Sequence, residues 1–477
     1  MTSRKERMLK EKYLRKKRTE FLKSVLIVVL TVSFISLTYS VIKSQSHSSG
    51  SKFSSVYDQA SVSGDADAIN LYFNYASPEY ILFNTEAGRD VFYTDSEPYA
   101  KAQKILEDVN RSIFLPDVKA EESAYNPFSD IGENNLLYIS YPYHRYPKLT
   151  AQFFESRSSK LSEIISSYKK VILSPSEKST DGIDVYIKDE KTEKIYKIKS
   201  SVASAGLQKL LGGTKRLDDR NHSFAYELNL GKSSSTVLRS DIIIPLKTQY
   251  LPLISAAPPS AFEKIRDGFT DDGISGKILE AFGLKESHIR QYIDRDNILV
   301  CVSETATLKL YPDGIVEYNA VDKKSGLNLS GNTRLSPENS YFLSFTGISK
   351  IINSVIPLSQ NNEKSFRIRL TDLMSEAAEV TEYKFMFDYY LNGARIISAP
   401  YHAIEATTVD GYLTAMRMDL KTLESHNEKA ASEPLFAAID RYCADKQSLS
   451  TILISECNRS YDISKNKSSV TAGWIVK

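Results

Sequence analysis

The stretch ATLKLYPDGIVEYNA, Ala306 to Ala320, alternates apolar and polar residues on both sides of a Pro-Asp-Gly tripeptide. Further along, HAIEATTVDGYLTAMRM, His402 to Met418, repeats the design. Strict alternation puts every second side chain on one face, the pattern of a half-buried strand. An Asx-Gly dipeptide between two such runs is the strongest local hairpin signal, because a type I′ turn needs positive φ at both central residues. Three Asx-Gly links stand out: Asp313-Gly314, Asn392-Gly393 and Asp410-Gly411. Read this way, the acidic residues are turn formers that point to solvent at hairpin tips. The competing reading makes Asp313 and Asp410 a catalytic pair, which requires two loops to bring their carboxyl groups within roughly 5–10 Å. The hairpin reading is preferred.

Working outward, FRIRLTDL, EYKFMFDYYL, ARIISAP, AIEATTV and YLTAMRMDL read as strands. So do SPEYILFN, NNLLYISYPYHR, DVYIKD, KIYKIK, SDIIIPL and NILVCVS. EPYAKAQKILEDVNRSIF, VASAGLQKLLGG, PENSYFLSFTGISKIINSVI and PLFAAIDRYCAD read as helices, and short helices are expected in the stretch from Lys264 to Ile293. LTAQFFESRSSKLSEIISSYKKVIL has helical periodicity, with Phe153, Leu161, Ile164 and Ile165 on one side. This order implies an α+β fold of antiparallel sheets with packed helices, its C-terminal part built from two similar hairpin-containing units. The expected divisions are residues 69–260, with a split near 147, then 261–362 and 363–477.

The N-terminal part is different. Ten of the 61 Lys/Arg and three of the 59 Asp/Glu fall in residues 1–23, a balance of +7, whereas the remaining 51 and 56 leave −5. A nucleic-acid binder would carry its positive charge on the folded body, so that class is disfavoured. Next comes SVLIVVLTVSFISLTYSVI, Ser24 to Ile42, nineteen residues without a charge. At about 1.5 Å per residue this reaches roughly 28 Å, close to the hydrocarbon thickness of a bilayer. Its length, and the lack of a small-residue cleavage site after it, favour an uncleaved signal anchor over a signal peptide. The basic flank keeps the N-terminus cytoplasmic and places the rest outside the membrane. Ser33, Ser36 and Ser40 share one face of this helix, a candidate contact for another membrane helix. Residues 43–68 are Ser-rich and read as a linker. The basic tail is suited to anionic lipid headgroups, at about 1 kcal/mol per basic residue near the surface.

Motifs with their own chemistry are absent. The six histidines, His47, His144, His222, His288, His402 and His426, form no zinc motif. The three cysteines, Cys301, Cys443 and Cys457, form no C-x-x-C pair, although Cys443 and Cys457 could join outside the cell. G-x-S-x-G and a complete phosphate loop are both missing. His144 and His402 sit in PYHRYP and APYHAIE, where aromatic packing is the plainer reading. No cofactor is expected.

The segments SPEYILFN, NLLYISYPYHRYPKLTAQFF, SGKILEAFGLKESHIRQYIDRDNILVCVSETATLKLYPDGIVEYNA and FMFDYYLNGARIISAPYHAIEATTVDGYLTAMRM occur in an order that resembles the YycH regulatory proteins of low-GC Gram-positive bacteria, relatives of YycI. The resemblance implies a single-span, extracytoplasmic, non-enzymatic regulator. Its implied partners are a sensor histidine kinase of the WalK (YycG) type and a sister YycI-like membrane regulator, in the control of cell-wall homeostasis. The alternative is an anchored cell-envelope assembly factor or hydrolase acting on cell-wall polymer, in which YISYPYHRYP would stack on sugars.

Overall fold

The computed structural model describes residues 66–477, apart from 87, 130, 133, 155–158, 177–179, 214–220, 231–235, 264–273, 286–287, 332–334, 359–365, 376–380, 399, 447–451 and 465–468. The basic tail, the Ser24–Ile42 span with its Ser33, Ser36 and Ser40 face, and most of the linker lie outside the described residues. Among the described residues no helix is long and apolar enough to cross a membrane. The described residues belong to one compact unit.

The first sheet contains β1 (Tyr80–Thr85), β2 (Gly88–Phe92), β3 (Ala120–Glu122), β4 (Leu136–Arg145), β5 (Tyr168–Ser174), β6 (Gly182–Lys188) and β7 (Ile195–Ala203). Its order is β2-β1-β4-β5-β6-β7-β3, antiparallel throughout. Short strands β8 (His222–Phe224), β9 (Thr236–Leu238) and β10 (Ile243–Pro245) follow, then β11 (Tyr250–Ala257).

The second sheet draws on β12 (Arg290–Ile293), β13 (Leu299–Val302), β14 (Ala306–Leu310), β15 (Ile315–Ala320), β16 (Leu327–Asn328), β17 (Arg367–Ser375), β18 (Glu382–Leu391), β19 (Ala394–Ile397), β20 (Ile404–Val409) and β21 (Tyr412–Asp419). After β22 (Thr422–Ala431) and β23 (Ile452–Ile454), β24 (Cys457–Asp462) and β25 (Ala472–Val476) complete its edge. The main path is β12-β13-β14-β15-β21-β20-β18-β19-β24-β25. Helices are α1 (Ala66–Tyr75), α2 (Glu97–Ile113), α3 (Pro147–Thr150), α4 (Leu161–Ile164), α5 (Ala205–Gly213), α6 (Ser260–Glu263), α7 (Ile274–Ala281), α8 (Pro337–Val355) and α9 (Leu435–Asp445).

Helix α8 sits at the centre. Pro337 opens it, and the Ser336 hydroxyl accepts the Asn339 N–H at 3.3 Å. It is buried nearly all round, as a helix between two layers must be. Tyr341 stacks on Phe385 of β18, while Phe345 meets Tyr72 of α1 and Phe153 edge-on. One hydrophobic cluster therefore runs from α1 through α8 into the second sheet.

The hairpins lie side by side within that sheet, because β15 pairs antiparallel with β21. Ile315 faces Asp419, so Asp313 lies level with Lys421, whose Nζ donates to the Asp313 carbonyl at 3.1 Å. From there Asp410 is eleven residues back along the strand, roughly 35 Å at about 3.3 Å per residue. The two turns occupy opposite ends of the strand pair, and their carboxylates do not converge. Asn392-Gly393 (φ +48° and +74°) and Asp410-Gly411 (φ +50° and +75°) both have the paired positive φ of a mirror-image turn. At Asp313 the geometry differs from that expectation. Pro312 presets an ordinary turn, Gly314 alone has positive φ (+90°), and its N–H closes on the Tyr311 carbonyl at 3.0 Å. The Asn392-Gly393 tip is not in solvent either: Gly393 is buried beneath the ring of Tyr93, which follows β2.

The long helix expected from Leu149 is broken. Short helical turns, α3 and α4, give way to an extended chain and β5. Asp189 explains the break: its carboxylate accepts the Ser166 and Ser167 N–H groups (3.0 and 3.2 Å) and the Ser166 hydroxyl, giving the backbone partners a helix would have supplied. Strand β22 was not anticipated; it pairs with β11 in a separate ribbon.

Two glycine substitutions test this packing. A Cβ at Gly393 would lie 1.8 Å from Tyr93 Cδ1 at a positive φ, so Gly393→Ala is expected to destabilise by about 2–4 kcal/mol in urea unfolding. Gly206, on α5 with nothing within 4 Å of such a Cβ, is expected to gain about 0.5–1 kcal/mol as Gly206→Ala.

Candidate functional site: a charged cleft between the sheets

A cleft opens where the first sheet meets the β24–β25 edge of the second. Its walls come from Glu79 before β1, Lys169 and Lys170 on β5, Asp241 before β10, and Glu456 and Arg459 at β24. Burying a charge is costly unless it is paired, and most of the cleft's charges are paired. Lys169 pairs with Glu456 and Lys170 with Asp241, while Arg239 reaches Asp241 at 3.0 Å and Glu190 at 3.6 Å. Burial pushes the Asp241 carboxyl up, but Lys170 and Arg239 outweigh it and hold the group below the usual range. Burial also pulls the Lys170 ammonium down, even with Asp241 against it.

Glu79 is the exception among the acids. Burial, with the charge of Glu456 adding to it, pushes its carboxyl up to about 7. Below the cleft, Arg369 Nη1 on β17 donates to the carbonyls of Pro78 and Glu79 at 2.8 and 3.2 Å, tying this segment to the second sheet. A second, wider cavity of ≈ 520 Å³ adjoins the cleft at Val91, Tyr93 and Arg459, and continues to His222, Gln249 and Asn392. His222 Nδ1 faces Asp90 there at 3.3 Å.

His402 lies elsewhere. Its Nδ1 is 2.8 Å from Asp388 Oδ2 and 3.0 Å from Arg395 Nη2. Asp388 also accepts the Thr371 hydroxyl at 2.8 Å and the Ala403 N–H at 2.9 Å. The buried carboxylate thus clamps β17, β18, β19 and the loop before β20. His144 is half-buried, and burial pushes its imidazole pKa down. Its neighbours Tyr138, Tyr141 and Tyr143 are core residues, so the YISYPYHRYP run offers no exposed face of those rings to a sugar. Cys301 is buried, and Cys443 and Cys457 are both free thiols packed on one small cluster. Burial raises Cys301 to about 11 and Cys457 to about 12. Among the described residues no group of His, Cys, Asp and Glu is placed to hold a metal ion.

Sequence reasoning brought none of the cleft residues together. Asn392 and Gly393 were singled out as turn formers, and they prove to wall the cavities. Lys170, Asp241 and Arg459 belong to no motif; the available signal was a charged residue at a core position of a strand pattern, as in KKVILS and CNRSYDI.

These features define a class: a two-sheet α+β scaffold with a central buried helix and an ion-paired cleft at the junction. No family model matches the chain, and no curated protein matches it by sequence. Among solved structures it is similar to the crystal structure of YycH from Bacillus subtilis, with a TM-score of 0.51 and 10% identity, over 87% of this chain and 95% of that one. The chain has a YycH-like fold.

The Glu79 carboxyl has a sharp consequence. Its folded-state value, about 7, lies above the ordinary 4.5, so the native state holds this proton more tightly than the unfolded chain. Its contribution is full below about 4.5 and is lost as pH rises to 7. Glu79→Gln is therefore expected to match wild type in Tm near pH 4 and to exceed it at pH 8.

Proposed function

We propose that the chain is a membrane-anchored, extracytoplasmic regulator of a sensor histidine kinase, acting without catalysis of its own. The carrying observation is the YycH-like fold over 87% of the chain. The uncharged Ser24–Ile42 segment behind a basic tail adds an anchor and an orientation. In this reading the Ser33, Ser36 and Ser40 face packs against a kinase membrane helix, the tail lies on anionic headgroups, and a YycI-like regulator completes the complex. Cell-envelope homeostasis is the output. The separation of Asp313 from Asp410 removes the carboxylate pair on which the hydrolase alternative relied.

Affinity capture of the full chain from detergent-solubilised membranes is expected to recover a histidine kinase, and deletion of the gene to alter the output of that kinase. Recovery without any kinase, together with unchanged envelope-stress signalling in the deletion strain, would overturn the reading. Ser33→Leu with Ser36→Leu is expected to reduce kinase recovery severalfold while leaving the folded part's Tm unchanged.

A further inference from the structure

Among the described residues four arginines are buried: Arg89, Arg145, Arg369 and Arg459. Three are enclosed by their own contacts and line neither cavity of the junction, although Arg145 Nε and Arg369 Nε and Nη2 also have no hydrogen-bond partner. Arg89 forks onto Glu227. Arg145 lies 4.2 Å over the Tyr141 ring, between Tyr72 and Tyr168. Arg369 donates to two backbone carbonyls. Arg459 is only 6% exposed, and its one hydrogen bond to a side chain runs from Nη1 to Gln249 Oε1 at a long 3.4 Å. Its Nη2 is buried with no hydrogen-bond partner. Its guanidinium lies 3.8 Å over the Tyr93 ring and lines both cavities of the junction. Burial pushes its pKa down to about 10, which Tyr461, Glu79 and Asp90 only partly offset.

We propose that Arg459 is the anchor of a binding site for a carboxylate ligand in the ≈ 520 Å³ cavity at the sheet junction. A guanidinium is planar, with its edge donors coplanar, and such a fork matches the two oxygens of a carboxylate. Asp90, Asp95 and Lys247 share the cavity walls, a balance of one negative charge that opposes a phosphate dianion more than a monoanion. Asn221, Gln249 and Asn392 supply amide groups for the rest of the ligand. The volume suits an acylated amino acid or a peptide terminus. The site stands independently of the kinase reading.

The chain carries its own reporter. Its single tryptophan, Trp474, pairs with Arg459 across β24 and β25 and lines the adjoining cavity. Full-length protein in detergent is titrated, with Trp474 fluorescence as the readout, against N-acetylglycine, N-acetyltrialanine, their amides and inorganic phosphate. Saturable responses are expected to one or both carboxylates. The tripeptide is the tighter if a peptide terminus is the natural ligand, and N-acetylglycine at least as tight if a small acid is. The amides should give none, and phosphate should bind at least roughly tenfold more weakly. Arg459→Met should abolish the response, and Arg459→Lys should weaken it roughly tenfold by removing the fork. No saturable response in wild type, equal binding of the amides, phosphate binding as tightly as the carboxylates, or a response that survives Arg459→Met would overturn the proposal. If the Met variant fails to fold, the acid–amide comparison and Arg459→Lys decide.

Discussion

Taking an ion out of water costs several kcal/mol even after the protein relaxes, and breaking a buried pair costs about 3–5 kcal/mol. That constraint organises the junction on which the two sheets rest. Each sheet brings charge to it: Lys169 and Lys170 from one side, Glu456 and Arg459 from the other. The Lys169–Glu456 contact crosses between the layers, so the sheets cannot separate there without stranding two charges. Arg369 does the same with carbonyls instead of a carboxylate, holding Pro78 and Glu79 from β17.

Apolar packing supplies the complementary term. Helix α8 is enclosed by α1 and the 3-10 turn at Ala151–Phe154 on one side and by β18 on the other, through rings at edge-on or stacked geometry. Such pairs contribute about 0.5–1.5 kcal/mol each beyond area burial. Such an aromatic centre is expected to tolerate exchange of similar volumes. The polar junction depends on individual partners and does not. The two regions therefore answer differently to mutation, and chemistry sensitive to position belongs at the junction.

Much of the second sheet was legible in the sequence because its strands obey period-two alternation and its turns carry Asx-Gly. ATLKLYPDGIVEYNA gave β14 and β15 almost to the residue. Helix α8 was legible in PENSYFLSFTGISKIINSVI. Several elements stayed hidden: Arg290–Ile293, expected as helix, is strand β12, and β24 and β25 were not anticipated. Strand β22 is largely exposed and polar, so it lacks alternation, and its partner β11 contains Pro252. The run after Leu149 has a helical period that local competition overrides, since Asp189, remote in sequence, captures the Ser166 and Ser167 amides. The cleft was illegible for a related reason. Its charges come from five separate segments, and only the fold makes them neighbours.

The register of β24 shows how tightly the junction is specified. Cys457, Arg459 and Tyr461 share one face of the strand, because side chains alternate. The Tyr461 hydroxyl donates to the Pro252 carbonyl at 2.8 Å in a buried position, fixing that face. On its two sides β24 is held by parallel pairing with β19 and antiparallel pairing with β25. A slip of one residue would turn Ser460 and Asp462 inward and send the guanidinium of Arg459 out to water, the cheaper place for an unpaired charge. The fold instead holds the cation inside by three independent attachments. A buried, only partly compensated charge maintained at that energetic cost is expected where a partner outside the chain supplies the missing anion.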